Sequence, residues 1–450
     1  MKEALAKLEQ EIHAAYRDRT PASRAWYERA CNALAGGVSG TVRFFRPYPL
    51  YFAEGQGSRA FDLDRHEYVD CFLCGASLML GHRNPAIMAA IEETSRAGSL
   101  VLNPTLSTEL AEAMQRMVPN AERVRLLNSG TEAVMSALRF ARAFTGKPKI
   151  LKFAGTYHGQ ADEMLMGLDE RPGRIGAGVT EASVSELIVA HLGDLDGLHK
   201  LLAQDDVAAI LLDPSMHHCG LWAGDRALYQ TMKEMAHKAG ALLIFDEVIS
   251  GFRLAAGGAQ THFGVTPDLA VFGKAFGAGE RIGAVTGRAE VMEVANPARR
   301  TKGPFAFQSG TGNDSRNAVA AARVALSLYD HHGHNGYAGI AALAARLAVG
   351  LRQAFADHGI AAHANHLGPM VRLFLTRGPA TYAHCAKLDL KPVNLFHLAL
   401  TTEGVLTIPG SNDFFLSFAH QAEDIDHIVT AAQRVLQRFD FRPVTENLNR

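Results

Sequence analysis

The chain has almost no net charge, since 45 Lys and Arg against 46 Asp and Glu leave −1 over 450 residues. That balance excludes the basic footprint of a nucleic-acid binder and any global field for steering charged ligands. Cysteine is scarce, with five residues in all, too few for the disulfide framework of a small secreted scaffold. Cys71-x-x-Cys74 has no second CxxC to complete a zinc site, and its neighbours are apolar. The motif is therefore expected to be a buried structural pair. No uninterrupted apolar segment reaches membrane-spanning length, and Met1–Gln10 is charged rather than signal-like. Internal repeats and low-complexity tracts are missing too. The expected compartment is the cytoplasm.

What is present is ordinary for a globular protein: 48% hydrophobic and 20% charged residues. A chain this long buries a large core and is expected to form one large domain and a smaller one. The informative stretch is 241–277. Ala241–Phe245 is an unbroken apolar run ending in Asp246; Leu269–Phe272 is another, ending in Gly273-Lys274. Such runs predict strands buried on both faces of a parallel sheet. Open α/β sheets bind ligands at the carboxyl ends of their strands, and each run delivers one charge there.

An unpaired buried charge costs several kcal/mol, so both residues need an explanation. An Asp capping the next helix and a Lys reaching solvent are the bland alternatives. Together the two suit pyridoxal 5′-phosphate (PLP), whose ring nitrogen needs a carboxylate and whose aldehyde forms a Schiff base with lysine.

Other segments fit the same plan. Arg123–Leu127 is expected to be a strand running into Asn128-Ser129-Gly130-Thr131-Glu132, with a helix following through Phe144. Ala133, Val134, Ala137, Leu138 and Ala141 give that helix an apolar face. Free N–H groups at its start, with a glycine permitting close approach, make an anion seat. A plain N-cap at Ser129 explains the same residues. Ile150–Phe153 leads into Gly155-Thr156-Tyr157-His158-Gly159, where an aromatic beside glycine suits stacking on a flat ring. Ala208–Leu212 is a further strand, ending in Asp213.

Toward the amino terminus, residues 1–35 are expected to be helical with a break at Pro21, and Trp26–Leu34 resumes the pattern. Short strands are expected at Leu50–Ala53 and Ala60–Asp62, and an amphipathic helix at Thr108–Met117. Residues 167–186 predict an irregular segment, and the His-rich stretch Asp330–His334 an exposed loop. From Ile340 onward helices alternate with short strands at Met370–Leu375 and Phe414–Phe418.

Asp246-Glu247-Val248, then Gly251-Phe252-Arg253, Phe263-Gly264-Val265-Thr266-Pro267-Asp268 and Gly273-Lys274 resemble the signature of class III PLP-dependent aminotransferases. The likeness runs from about Gly36 into the last helix and is strongest to the branch of glutamate-1-semialdehyde aminomutases and D-phenylglycine aminotransferase. It implies PLP fold type I, with a large, mostly parallel α/β domain over 75–330. A smaller α+β domain would be built from 1–74 and 331–450.

By resemblance, Lys274 carries the cofactor and Asp246 faces its ring nitrogen. Ser129, Gly130 and Thr131 hold the phosphate, while Tyr157 and Val248 cover the two ring faces. His158 and His218 complete the pocket, His218 standing where aminomutases have an asparagine. Thr311, in Phe307-Gln308-Ser309-Gly310-Thr311-Gly312-Asn313, is similar to a residue lent to the phosphate of a neighbouring subunit, which implies a homodimer. Arg43 matches an arginine that holds a substrate carboxylate. Its flanking Phe44 and Phe45 favour a walled pocket over a surface arginine, and its planar fork suits a carboxylate.

The implied reaction transfers an amino group from a carboxylate-bearing amine to a keto acid. An intramolecular aminomutase is the first alternative; that branch has a glutamate in a carboxy-terminal stretch matching Pro409–Phe414, where this chain has none. A non-catalytic PLP-fold protein is the second, and the presence of both Asp246 and Lys274 argues against it.

Overall fold

The computed structural model describes residues 2–98, 100–168, 176–378 and 381–445. The chain divides into two compact units, Met1–Asn84 with Ala338–Arg450, and Pro85–Tyr337.

The unit Pro85–Tyr337 is built on a seven-stranded sheet. Its order is Arg123–Leu127, Gly283–Gly287, Leu269–Phe272, Leu242–Asp246, Val207–Leu212, Lys149–Phe153, Leu187–Ala190. The last five strands are mutually parallel, and Gly283–Gly287 runs antiparallel to both its neighbours. Val207–Leu212, Leu242–Asp246 and Leu269–Phe272 are buried along their whole length, as unbroken apolar runs require when both sheet faces are covered. Arg123–Leu127 alternates with arginine and is only half-buried, as befits an edge strand.

Gly283–Gly287 was not legible as a strand. It is short and glycine-ended, and one of its two pairing partners, Arg123–Leu127, is remote in sequence. Glycine is needed at 283, because a Cβ there would stand 2.3 Å from the Ser129 carbonyl oxygen.

The helix Gly130–Thr145 buries Ala133, Val134, Ala137, Leu138, Phe140 and Ala141 in the core of this unit. Ser129 caps its start, and Gly146, with φ 70°, ends it. The amphipathic helix expected from Thr108 begins at Thr105. Within the 167–186 stretch, residues 169–175 lie outside the described residues, and Glu181–Val184 is a helical turn rather than irregular chain.

The His-rich stretch Asp330–His334 is exposed or half-exposed as expected, but its residues other than Gly333 are helical. It lies inside the helix Arg316–Asp357, broken only at Gly333, whose φ of 53° departs from helical geometry. A single glycine absorbs the break, so the flanking Ala- and Leu-rich turns stay helical. By length and composition this helix is apolar enough to cross a membrane, but Val319, Ala322 and Leu326 are spent on the interior of the fold.

In the other unit Pro21 starts a second helix, Pro21–Ala30, directly after Lys2–Arg19; proline is tolerated in a first helical turn. That helix ends four residues short of Leu34. A four-stranded sheet orders Phe52–Gln56, Arg59–Asp62, Glu67–Asp70 and Val405–Leu406, and a three-stranded antiparallel sheet orders Ala362–Leu367, Met370–Leu375 and Asp413–Phe415. Cys71 is buried and Cys74 exposed, and both are free thiols, so they are not the expected buried pair. Left-handed backbone at Leu73, Cys74 and Gly75 turns the chain sharply between them.

Candidate active site

Within the unit Pro85–Tyr337, the carboxyl ends of the parallel strands and the start of the helix Gly130–Thr145 enclose a cavity of about 240 Å³. Asp246 ends its strand at the wall of this cavity, almost wholly buried. Its Oδ2 lies 2.6 Å from His158 Nδ1, and its Oδ1 accepts the Val248 N–H at 3.0 Å. The carboxylate is thereby fixed in plane and direction.

Lys274 lines the same cavity one residue beyond Gly273. Its φ of 47° is left-handed. That conformation costs a lysine about 1–3 kcal/mol, and such strain gathers at functional sites.

The start of the helix Gly130–Thr145 forms another wall, through Ser129, Gly130 and Thr131. The Ser129 hydroxyl oxygen accepts the Glu132 N–H at 3.2 Å, which leaves its own proton to give. The Gly130 and Thr131 N–H groups have no partner among the described residues. Capping and anion binding, alternatives in the sequence, are therefore compatible at this terminus. A Cβ on Gly130 would stand 2.8 Å from Val248, so only glycine lets the terminus and Val248 approach this closely.

Tyr157, His158, Gly159 and His218 complete the lining with Val248. The Tyr157 and His218 rings meet edge-on, with centroids 5.6 Å apart. Burial raises the Tyr157 hydroxyl pKa above its ordinary value, and the Asp246 charge adds to the rise. The loop carrying Tyr157 and His158 is held from below by Lys152, whose Nζ donates to the carbonyls of Thr156 at 2.7 Å and Met166 at 3.0 Å. Lys152 is fully buried. Burial pulls its pKa down to about 8, against the pull of Cys219 and Asp246.

Val134, from the apolar face of the helix, Ile249 and Asp213 also line the cavity, and none of them was expected at the site. Asp213 carried the same signal as Asp246, an apolar strand ending in a carboxylate. It accepts the N–H groups of Ser215 at 2.9 Å and His217 at 3.0 Å, so it serves its own loop.

Two expected residues stand elsewhere. Thr311 lies on a second cavity of the same unit, beside Leu100, Val101 and Leu102. Arg43 belongs to the other unit and lines a cavity there with Phe45, whereas Phe44 is not among that cavity's walls. Among the described residues no group of three or more His, Cys, Asp or Glu is placed to hold a metal ion.

The sequence profile described as aminotransferase class-III matches residues 44–433. A glutamate-1-semialdehyde 2,1-aminomutase of Sorangium cellulosum is 38% identical over 431 residues, covering 93% of this chain and 97% of the relative. Among solved structures, an omega-transaminase from Sphaerobacter thermophilus superposes with a TM-score of 0.86 at 33% identity, covering 93% of this chain and 97% of its own. A transaminase with PLP bound gives 0.85 at 29% identity, covering 95% and 99%.

Proposed function

Because the chain belongs to the class-III aminotransferases, a PLP-dependent family, we propose that it transfers the amino group of a carboxylate-bearing amine to a keto acid. The carrying observation is one cavity that holds Lys274, Asp246 and a helix start with two uncommitted N–H groups. These residues fit PLP: an anion seat, a fixed carboxylate, an amine, and an aromatic with an aliphatic residue for the ring faces.

When bound, PLP supplies an aldehyde that captures amines and a ring that draws electrons from the carbon losing a proton. The protein does the rest. Ser129, Gly130 and Thr131 would seat the phosphate, and Tyr157 and Val248 would orient the ring. Asp246 would keep a proton on the ring nitrogen, steadied by His158. The Lys274 amine would take a proton from the substrate carbon and return it one position along, as a positioned general base and acid. Arg43 would bind the substrate carboxylate with its guanidinium fork.

Thr311 lies apart from this cavity, beside Leu102, which is 93% exposed. Exposed apolar chain of this kind marks an interaction surface. It supports the reading of a homodimer in which Thr311 serves the neighbour's phosphate seat.

The aminomutase reading is favoured by the name of the Sorangium relative. Against it, Pro409–Phe414 has no glutamate. The acid in that segment, Asp413, is buried and already pairs with Arg372 at 3.3 Å and the Ser411 hydroxyl at 2.5 Å.

The test is borohydride reduction of the PLP-loaded protein, then peptide mapping and a donor–acceptor screen. The adduct is expected on Lys274, with amine transfer that requires an added keto acid. An adduct on Lys152 would overturn the site. Acceptor-free conversion of glutamate-1-semialdehyde to 5-aminolevulinate, faster than any transamination, would favour the mutase.

A further inference from the structure

Lys274 opens a single helical turn, Lys274–Gly277, and left-handed backbone bounds it: φ is 47° at Lys274 and 48° at Ala278. Neither residue is glycine, so each conformation persists only where surrounding contacts over-determine it. The Phe276 N–H donates to the Gly273 carbonyl at 2.9 Å, and the Ala278 N–H to the Ala275 carbonyl at 3.2 Å.

The Ala275 carbonyl has a second lone pair, and a residue far along the chain uses it. The Tyr329 hydroxyl, on the helix Arg316–Asp357, donates to it at 2.7 Å. Burial lifts the Tyr329 pKa above its ordinary value, against the pull of Arg253, so the hydroxyl stays a donor.

The ring is fixed as firmly as its hydroxyl. Tyr329 stacks on Phe252 with planes 11° apart and centroids 5.8 Å apart. Phe252 stacks in turn on Phe276 at 5.8 Å and lies 5.2 Å from Phe272. All four rings are fully buried. Glycine at 251 allows this packing, because a Cβ there would stand 2.7 Å from the Phe272 ring.

From this we propose that Tyr329 is a positioning residue for the reaction. Its hydroxyl holds the Lys274 turn in its strained form, and so fixes where the Lys274 amine stands in the cavity shared with Asp246. The inference rests on the reading of Lys274 as the cofactor-bearing residue.

Tyr337, on the same helix, supplies the control. Its hydroxyl donates to the Phe252 carbonyl at 2.9 Å, outside the Lys274 turn. The experiment compares Tyr329→Phe and Tyr337→Phe with the parent, all as PLP-loaded full chains. Each substitution keeps the ring and removes one buried hydroxyl, so both variants should fold and lose similar thermal stability. Amide hydrogen exchange over 274–278, the pH midpoint of the cofactor absorbance, and kcat with KM are then measured.

In Tyr329→Phe, exchange over 274–278 should quicken about fivefold, the worth of one ordinary hydrogen bond. The midpoint should move by up to about one unit, and kcat should fall about fivefold with KM unchanged. Tyr337→Phe should keep the parental midpoint and kcat. A parental midpoint and kcat in Tyr329→Phe, or the same changes in both variants, overturns the proposal.

Failure of the function above would appear in the parent itself, as an adduct away from Lys274 or an absence of amine transfer. Failure of this inference appears only in the difference between the two variants, and the exchange measurement reads the turn without turnover.

Discussion

His158 Nδ1 lies 2.6 Å from Asp246 Oδ2, and the hydrogen inventory of this pair is settled on the far side of the ring. The single hydroxyl proton of Thr156 goes to the Phe153 carbonyl at 2.6 Å. Its oxygen therefore accepts from His158, and Nε2, at 2.9 Å, carries the hydrogen. The contact from Nδ1 to Asp246 then needs one further proton, shared between ring and carboxylate. Thr156 and His158 together orient the Asp246 carboxylate, the group that would face the cofactor nitrogen.

Removing this support should weaken catalysis more than binding. His158→Ala is expected to lower kcat/KM by about 10–100-fold, the worth of one charge-assisted hydrogen bond. Thr156→Val should give a smaller loss. Steady-state kinetics from pH 6 to 9, with PLP content followed by absorbance, checks both. Unchanged kinetics in His158→Ala would show that Asp246 is held by Val248 alone.

Lys152 ties the loop beneath Tyr157 to its strand through backbone carbonyls. Lys152→Met would leave those buried carbonyls unpaired, at about 1–3 kcal/mol for each group left unsatisfied. The thermal midpoint should fall, while the borohydride adduct should still map to Lys274. A variant as stable as the parent would mean that the loop is held by other contacts.

Glu247 is fully buried, and burial lifts its pKa to about 7, opposed by hydrogen bonds from Ala259, Gln260 and Ser250. The folded chain holds a proton there that the unfolded chain releases near 4.5. This group therefore favours the fold below about 4.5, and that contribution is lost as pH rises to about 7, by roughly 3 kcal/mol. His397, held neutral by burial with a pKa of about 3, works the opposite way: its contribution is lost as pH falls below 6.5. The readout is thus the stability difference between parent and Glu247→Gln at pH 5, 6, 7 and 8. The variant should gain relative to the parent as pH rises, and a flat difference would reject the assignment.

If Thr311 serves a neighbouring subunit, defects at Thr311 and Lys274 should complement each other. Lys274→Ala and Thr311→Ala chains, each weak or inactive alone, should regain activity when dissociated and mixed. One site of the mixed dimer then has both residues intact. No recovery, or a fully active monomer by light scattering, would show that each site is complete in one chain.

Asp246 and Lys274, which the structure places on one cavity, stood out in the sequence because the signal is local. An apolar run long enough for a buried strand must end in something, and a charge there has few uses. The strand Leu269–Phe272 lies where its apolar run predicts, and Leu242–Asp246 within one residue of its own. Side chains buried on both faces impose that pattern within a few residues. Ser129–Thr131 was legible as a helix start but ambiguous in role, since capping and anion binding use the same atoms.

What tertiary structure decided depends on partners far apart in the chain. His158 and Asp246 are 88 residues apart, and no periodicity links them. Lys152 looked like any strand-end lysine until its burial and three carbonyl neighbours were known. The strand Gly283–Gly287 pairs with Arg123–Leu127, about 160 residues away, and needs a glycine at 283 only because the Ser129 carbonyl comes close there. Gly333 marks the middle case: the His- and Gly-rich stretch resembles a loop, and the structure has two helical segments meeting there across a kink at Gly333. Local sequence sets which residues can end a strand or start a helix. Chain closure sets which of them meet, because burial and hydrogen-bond partners exist only once the distant segments have packed.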